Sequence, residues 1–396
     1  MRLTLCLLAS FVLTAGVTAR QADRPITRLG HETGLPISRT VQAGRFIYAA
    51  GTMGTTASGA LAAGGIQGQT RQALENLATA LKAAGSDLAH AVSVTVYLRH
   101  QSDFQAMNAA YRTFWPTAPP TRTTVVTELA RPDSLVEISM IAVPRGAERA
   151  VIAPAGWLPS PFPYSYAIKS GDTLFLSGLV SRDVRTNEPR TGDITVQTRT
   201  ILDHARDLLQ AAGFTPRDVV QSRVFLPDRT NFRAMNAVYT SVFTPPPPAR
   251  AAVQTQLSSP DDLVEITLVA VKGGHKQFMT QPNPDGTPGR PNPILSAAVH
   301  VGDRLYLSGT PGAVPAGHVA ASTRDSLARL GRSLKAAGFD WNNVVDAIVY
   351  LRDVRQFKAM NDAYRQVFHR DFPARTTVQA ASMGPSDLEI MLTAVK

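Results

Sequence analysis

Apolar positions along the chain repeat in two different rhythms, and the rhythms themselves recur. Leu74, Leu77 and Leu81 fall at i, i+3 and i+7, one face of a helix, and predict a helix from about Thr70 to Ala84. Leu327, Leu330 and Leu334 repeat the stripe, and Leu202, Ala205 and Leu209 repeat it with a smaller middle residue. Gly85, Gly213 and Gly338 follow these stripes as C-terminal caps. Val92, Val94, Val96 and Leu98 then alternate with period two, the rhythm of a strand. An earlier strand carries Phe46, Ile47 and Tyr48 and stops at Gly51. Its counterparts stop at Gly178 and Gly309.

The recurrence is a threefold repeat. Phe104-Gln105-Ala106-Met107-Asn108-Ala109-Ala110-Tyr111 returns as Phe232 to Tyr239 and again as Phe357 to Tyr364, at offsets of 128 and 125 residues. Arg122, Arg250 and Arg375 follow in order, and then Val136-Glu137-Ile138, Val264-Glu265-Ile266 and Leu388-Glu389-Ile390. A period this long makes each repeat a domain able to bury its own core. The units are expected at 25–145, 155–273 and 291–396. The Pro- and Gly-rich stretches Pro144 to Pro163 and Gly273 to Pro293 read as linkers. Within each unit the order β…αβαββ predicts an α+β domain, a mixed sheet with two helices on one face.

Composition narrows the chemistry. Hydrophobic residues are 44% and charged residues 18% of 396, which supports packed cores and excludes a disordered chain. The net charge is +10, but the basic residues are scattered, without the stripe a nucleic-acid interface needs. Arg2, the apolar run Leu3 to Val12 and Val17-Thr18-Ala19 read as a signal peptide over residues 1–19. The expected location is therefore periplasmic or secreted, with an N-terminal anchor as the alternative. Cys6 is the single cysteine, so the chain beyond the signal has no thiol chemistry. The eight histidines show no paired ligand spacing and do not recur between units, so no metal site is expected. The glycines at 51, 54, 59, 64, 65 and 68 lack a phosphate-loop pattern and read as turns.

The recurring polar residues are the candidates for function. Asn108, Asn236 and Asn361 lie between helical aromatics. Arg122, Arg250 and Arg375 open strands after Pro-rich turns. Glu137, Glu265 and Glu389 sit inside apolar strands. The glutamates could face solvent, or pair with the arginines as structural ion pairs between units. Alternatively, the arginine fork binds a carboxylate ligand and the glutamate handles a water or a proton.

At these residues the chain resembles the RidA/YjgF-like (Rid) family of enamine/imine deaminases. The resemblance rests on Gln72-Ala73-Leu74-Glu75-Asn76-Leu77, Phe357-Lys358-Ala359-Met360-Asn361, Phe372-Pro373-Ala374-Arg375-Thr376-Thr377-Val378 and Leu388-Glu389-Ile390. It implies three tandem RidA-like (chorismate-mutase-like) domains in one chain, packed as an intrachain pseudo-trimer with ligand sites between units. Further assembly stays open. It implies that the three arginines hold a substrate carboxylate, the three glutamates position water, and the three asparagines lie on the ligand side. Gly51, Ser177, Gly178, Ser308 and Gly309 would line the site, with Ala50 in place of the serine in the first unit. The family's tyrosine near the domain start falls on Tyr164; Ile37 and Leu295 stand at the other two positions. The implied activity is hydrolysis of 2-imino acids to 2-keto acids and ammonia without metal or organic cofactor. A non-catalytic carboxylate binder and an RNA-binding or ribonuclease-type member are the alternatives. Ring-opening hydrolases of the cyanuric acid/barbiturate type also carry three units per chain, but no lysine recurs beside a recurring serine here.

Overall fold

A computed structural model describes residues 25–31 and 34–396; the stretch read as a signal peptide lies outside them. The first unit runs β1 (Thr27–His31), β2 (Ser38–Ala43), β3 (Phe46–Met53), α1 (Gly65–Ala83), β4 (Ala91–Leu98), α2 (Phe104–Arg112), β5 (Thr121–Val126) and β6 (Val136–Ala142). The second runs β7 (Ala150–Ile152), β8 (Ala167–Ser170), β9 (Thr173–Leu176), α3 (Ile194–Ala211), β10 (Val219–Leu226), α4 (Phe232–Val242), β11 (Ala249–Gln254), β12 (Gln256–Leu257) and β13 (Glu265–Val271). The third runs β14 (Lys276–Met279), β15 (Ala298–Val301), β16 (Arg304–Pro311), α5 (Val319–Ala336), β17 (Val344–Leu351), α6 (Phe357–Tyr364), β18 (Ala374–Gln379), β19 (Ala381–Ser382) and β20 (Leu388–Val395).

Each unit is one mixed sheet. In the first the order is β1-β2-β3-β6-β4-β5, with β4 and β5 parallel across the α2 connection and the other neighbours antiparallel. The linkers contribute more than expected: β7 and β14 lie inside them and form the outer edges of the second and third sheets. These sheets therefore begin before residues 155 and 291. Short edge strands among prolines leave no readable alternation. Helix α1 starts at Gly65 rather than Thr70, because Ile66 already packs into the core behind the left-handed Gly64 and Gly65. Gly68 is helical rather than a turn; a Cβ there would strike the carbonyl of Ala63. Gly85, Gly213 and Gly338 take positive φ where the helices end, as C-terminal caps do.

Two cores explain the alternation in β4. Val94, Val96 and Leu98 face the helices with Leu74, Leu77 and Leu81. Tyr97 faces the other way, into a core shared with Phe225 of β10 and Tyr350 of β17. The second face of every sheet is thus covered by the sister units. Closure is cyclic. β12 of the second unit pairs with β5 of the first, β19 of the third pairs with β11 of the second, and Leu129 of the first bridges Val378 of the third. One lock is repeated three times: Ser38, Ser165 and Ser296 each donate a side-chain hydrogen bond of 2.6 Å, to the carbonyls of Phe372, Pro119 and Pro247 of the neighbouring unit. The chain is a covalent pseudo-trimer.

Candidate active site

Each cleft takes its arginine from one unit and its glutamate from the next. Arg122 faces Glu265, Arg250 faces Glu389 and Arg375 faces Glu137 across the shared boundaries. The glutamates do not reach solvent. Glu137, Glu265 and Glu389 are 3%, 3% and 5% exposed, because the strand face that alternation alone assigns outward is covered by the neighbouring unit. Arg122–Glu265 and Arg250–Glu389 are not in ion-pair contact either. Instead, the backbone N–H of Thr124 donates to Glu265 Oε1 at 3.3 Å, and that of Ala252 serves Glu389.

The strand-end glycines have a steric cause. The ladder slips between Ala49 and Thr52 and between Leu307 and Thr310, a bulge in each strand. There the carboxyl group lies over the glycine Cα. A Cβ at Gly51, Gly178 or Gly309 would overlap Oε1 of Glu137, Glu265 or Glu389. β3 and β16 continue past their glycines to Met53 and Pro311, whereas β9 ends at Leu176, before its glycine. Ser177 and Ser308 do not offer their hydroxyls to the cleft. Each accepts from the backbone N–H of the cleft arginine, at 2.9 and 2.7 Å, and donates to Ser165 or Ser296. They fix where the arginine strand starts. Ala50 leaves the third cleft without this bond.

The arginines are held by aromatics that the helix pattern presented as core. Arg122 lies 5.0 Å from the Tyr111 ring, 5.9 Å from Phe104 and 5.6 Å from Tyr164. Arg250 lies between Tyr239 and Phe232, and Arg375 between Tyr364 and Phe357. These rings recur in all units at fixed spacing, which was the signal for their role. Asn236 and Asn361 act on the arginines, accepting from Arg250 Nη1 at 2.8 Å and Arg375 Nη2 at 2.6 Å. Asn108 differs: its amide is buried and meets no partner among the described residues, and Arg122 Nε and Nη1 are likewise buried without one.

Burial sets the electrostatics. Arg122 is 3% exposed, and desolvation lowers its proton affinity while Tyr111, Tyr164 and Glu265 oppose the shift. Desolvation pushes the Glu265 carboxyl up to about 8, with Asp262 adding to the rise and the Thr124 N–H, Arg122 and Arg223 opposing it. Glu389 also rises to about 8, again by desolvation. A buried, unpaired guanidinium beside a largely protonated carboxyl suits an incoming carboxylate anion. Tyr164 joins Arg122 and Glu265 in the first cleft only, a space of about 60 Å³ also lined by Phe162, Arg182 and Asp262. The last three have no counterparts in the other units, so recurrence could not point to them. Among the described residues no cluster of three His, Cys, Asp or Glu could hold a metal ion, and no helix is long and apolar enough to cross a membrane.

Three domains of one α+β type, closed around a pseudo-threefold axis with an Arg–Glu cleft at every boundary, define the class. Comparison with known proteins gives the family. A model described as "Endoribonuclease L-PSP" matches residues 32–144, 158–272 and 290–396, so the chain belongs to this RidA/YjgF/RutC family, three members in tandem. A "RutC family protein" of Sulfurisphaera tokodaii is 46% identical over 28% of this chain and 89% of its own length. The "3-aminoacrylate deaminase RutC" of Acinetobacter baylyi is 35% identical over 31% of this chain and 97% of its own. A "2-iminobutanoate/2-iminopropanoate deaminase" of Capra hircus is 43% identical over 22% and 69%. At the level of the family, these names support imine and enamine deamination.

Proposed function

We propose that this chain hydrolyses small 2-imino acids to 2-keto acids and ammonia, with the cleft between the first and second units as the principal site. The observation that carries the proposal is the buried Arg122 guanidinium, with Nε and Nη1 unpartnered beside the raised carboxyl of Glu265. A cleft of about 60 Å³ suits a substrate of few heavy atoms.

The substrate carboxylate would take the Arg122 fork as a bidentate pair, with the aromatic rings holding the guanidinium plane. That places the imine carbon towards Gly178 and Glu265. The protonated imine nitrogen favours the ionised form of Glu265, whose carboxylate then accepts a proton as water adds to the imine carbon. The resulting carbinolamine takes that proton on nitrogen, ammonia leaves, and the hydroxyl proton returns to Glu265. One water is consumed, and one keto acid and one ammonia are formed. Ser177 positions Arg122 through its backbone, and Tyr164 closes the cleft from the second unit. Asn236 and Asn361 position their arginines through hydrogen bonds, whereas Asn108 makes no such bond to Arg122 and leaves that guanidinium open to the ligand.

The other two clefts keep Arg and Glu with Ile37 or Leu295 in place of tyrosine. They bind carboxylates and turn over more slowly. The export signal read at residues 1–19 would place this activity in the periplasm or outside the cell.

The test is release of keto acid, trapped as its semicarbazone, from 2-iminobutanoate generated in situ by an amino-acid oxidase. Accelerated release over the enzyme-free rate supports the proposal. Keto-acid binding without acceleration would instead make the clefts carboxylate receptors.

A further inference from the structure

The first cleft has a second polar end that its two siblings lack. Arg182 and Asp262 line it together with Arg122 and Glu265. Thr55 and Ala313 stand where the other units would have Arg182, and Ser134 and Ser386 where they would have Asp262. The siblings show that the fold needs neither charge.

Arg182 is fixed in place. Its guanidinium carbon lies 5.7 Å from the Phe162 ring, and Nη1 donates to the carbonyl of Asn187, while Nε is buried with no partner among the described residues. Asp262 is 8% exposed, and among the described residues its side chain accepts no hydrogen bond. The two are not in ion-pair contact, although Arg182 is the main charge favouring the ionised form of Asp262. One donor and one acceptor are therefore held apart on the wall of the same cleft, each with capacity left for a ligand.

Charge balance selects the ligand. The substrate carboxylate neutralises Arg122, and Asp262 offsets Arg182. A second carboxylate would leave an excess negative charge in a buried site, and an amine an excess positive one; both are costly. A neutral group that accepts from Arg182 and donates to Asp262 leaves no charge over and fills both capacities. We propose that the first cleft selects 2-imino acids whose side chain ends in a carboxamide, with Arg182 donating to the amide oxygen and Asp262 accepting from the amide nitrogen. This rests on the reading that Arg122 holds the substrate carboxylate.

Calorimetric titration of the full chain tests it, with 2-oxosuccinamate, which ends in a carboxamide, 2-oxobutanoate, which lacks one, and oxaloacetate, which ends in a second carboxylate. The expected preference for 2-oxosuccinamate over each of the others is about tenfold or more at one site per chain, equivalent to about 1.4 kcal/mol. Asp262→Ser, which installs the siblings' residue, and Arg182→Met should each reduce that ratio to near one. Equal binding of the three ligands by the wild type, or a preference that survives both substitutions, overturns the carboxamide assignment alone. Absence of 2-oxobutanoate binding, or a number of 2-oxobutanoate sites per chain that Arg122→Ala does not lower by one, overturns the underlying reading as well.

Discussion

Replacing Glu265 with glutamine should stabilise the protein, and should do so most at high pH. In the unfolded chain this carboxyl titrates near 4.5; in the fold, desolvation and Asp262 raise it to about 8. Between these values the unfolded state releases the proton while the folded state retains it. Stability therefore falls as pH rises from about 4.5 to about 8, and the loss is complete above the folded value. At pH 7 the linkage amounts to about 3 kcal/mol, and above pH 8 to somewhat more, about 4–5 kcal/mol. Glutamine carries no such term, and its side-chain oxygen can still accept from the Thr124 N–H. For a chain of this size, 3 kcal/mol corresponds to a rise of about 4 °C in Tm. Scanning calorimetry of wild type and Glu265→Gln at pH 5, 7 and 8.5 measures it. The gap should be small at pH 5 and widen with pH, while deaminase activity at this cleft is lost, the usual trade between stability and function. A variant with the wild-type Tm at all three values would refute the burial argument for Glu265.

Two further predictions concern the frame. Gly178→Ala places a Cβ on Glu265 Oε1; it should fold but lose most deaminase activity and carboxylate binding in the first cleft, whereas alanine at the open, exposed Gly384 should change neither. Ser177→Ala removes one bond to the backbone of Arg122 and one to Ser165, costing about 1–3 kcal/mol, read as a lower urea midpoint.

Much of this architecture was legible because it is written three times. The Phe-x-x-Met-Asn-x-x-Tyr segments, the arginines and the Val/Leu-Glu-Ile segments gave the units, their order and the recurring polar candidates from spacing, while their meeting in clefts between units was implied by the family resemblance. What the pattern hid has physical reasons. Alternation in one unit cannot show that a sister unit covers the second strand face, so the glutamates looked equally able to face solvent. Phe104 and Tyr111 fit a helix stripe whether they pack on leucines or on a guanidinium, and here they reach Arg122. Ser177 and Ser308 appeared as lining residues and are backbone locks instead. β7 and β14 were hidden among prolines and glycines. Arg182 and Asp262 occur in one unit only, so the signal that exposed the rest of the site was silent for them.

The central claim is that a carboxylate held by the cleft arginines is turned over, chiefly between the first and second units. Its most direct test is the semicarbazide-trapped rate with 2-iminobutanoate for the wild-type chain, Arg122→Ala, Arg250→Ala and Arg375→Ala, each checked for an unchanged fold by circular dichroism. Arg122→Ala should remove most of the acceleration over the uncatalysed reaction, and the other two should remove a minor share. Equal losses from all three would contradict the assignment of one dominant cleft, and acceleration untouched by all three would contradict the account as a whole.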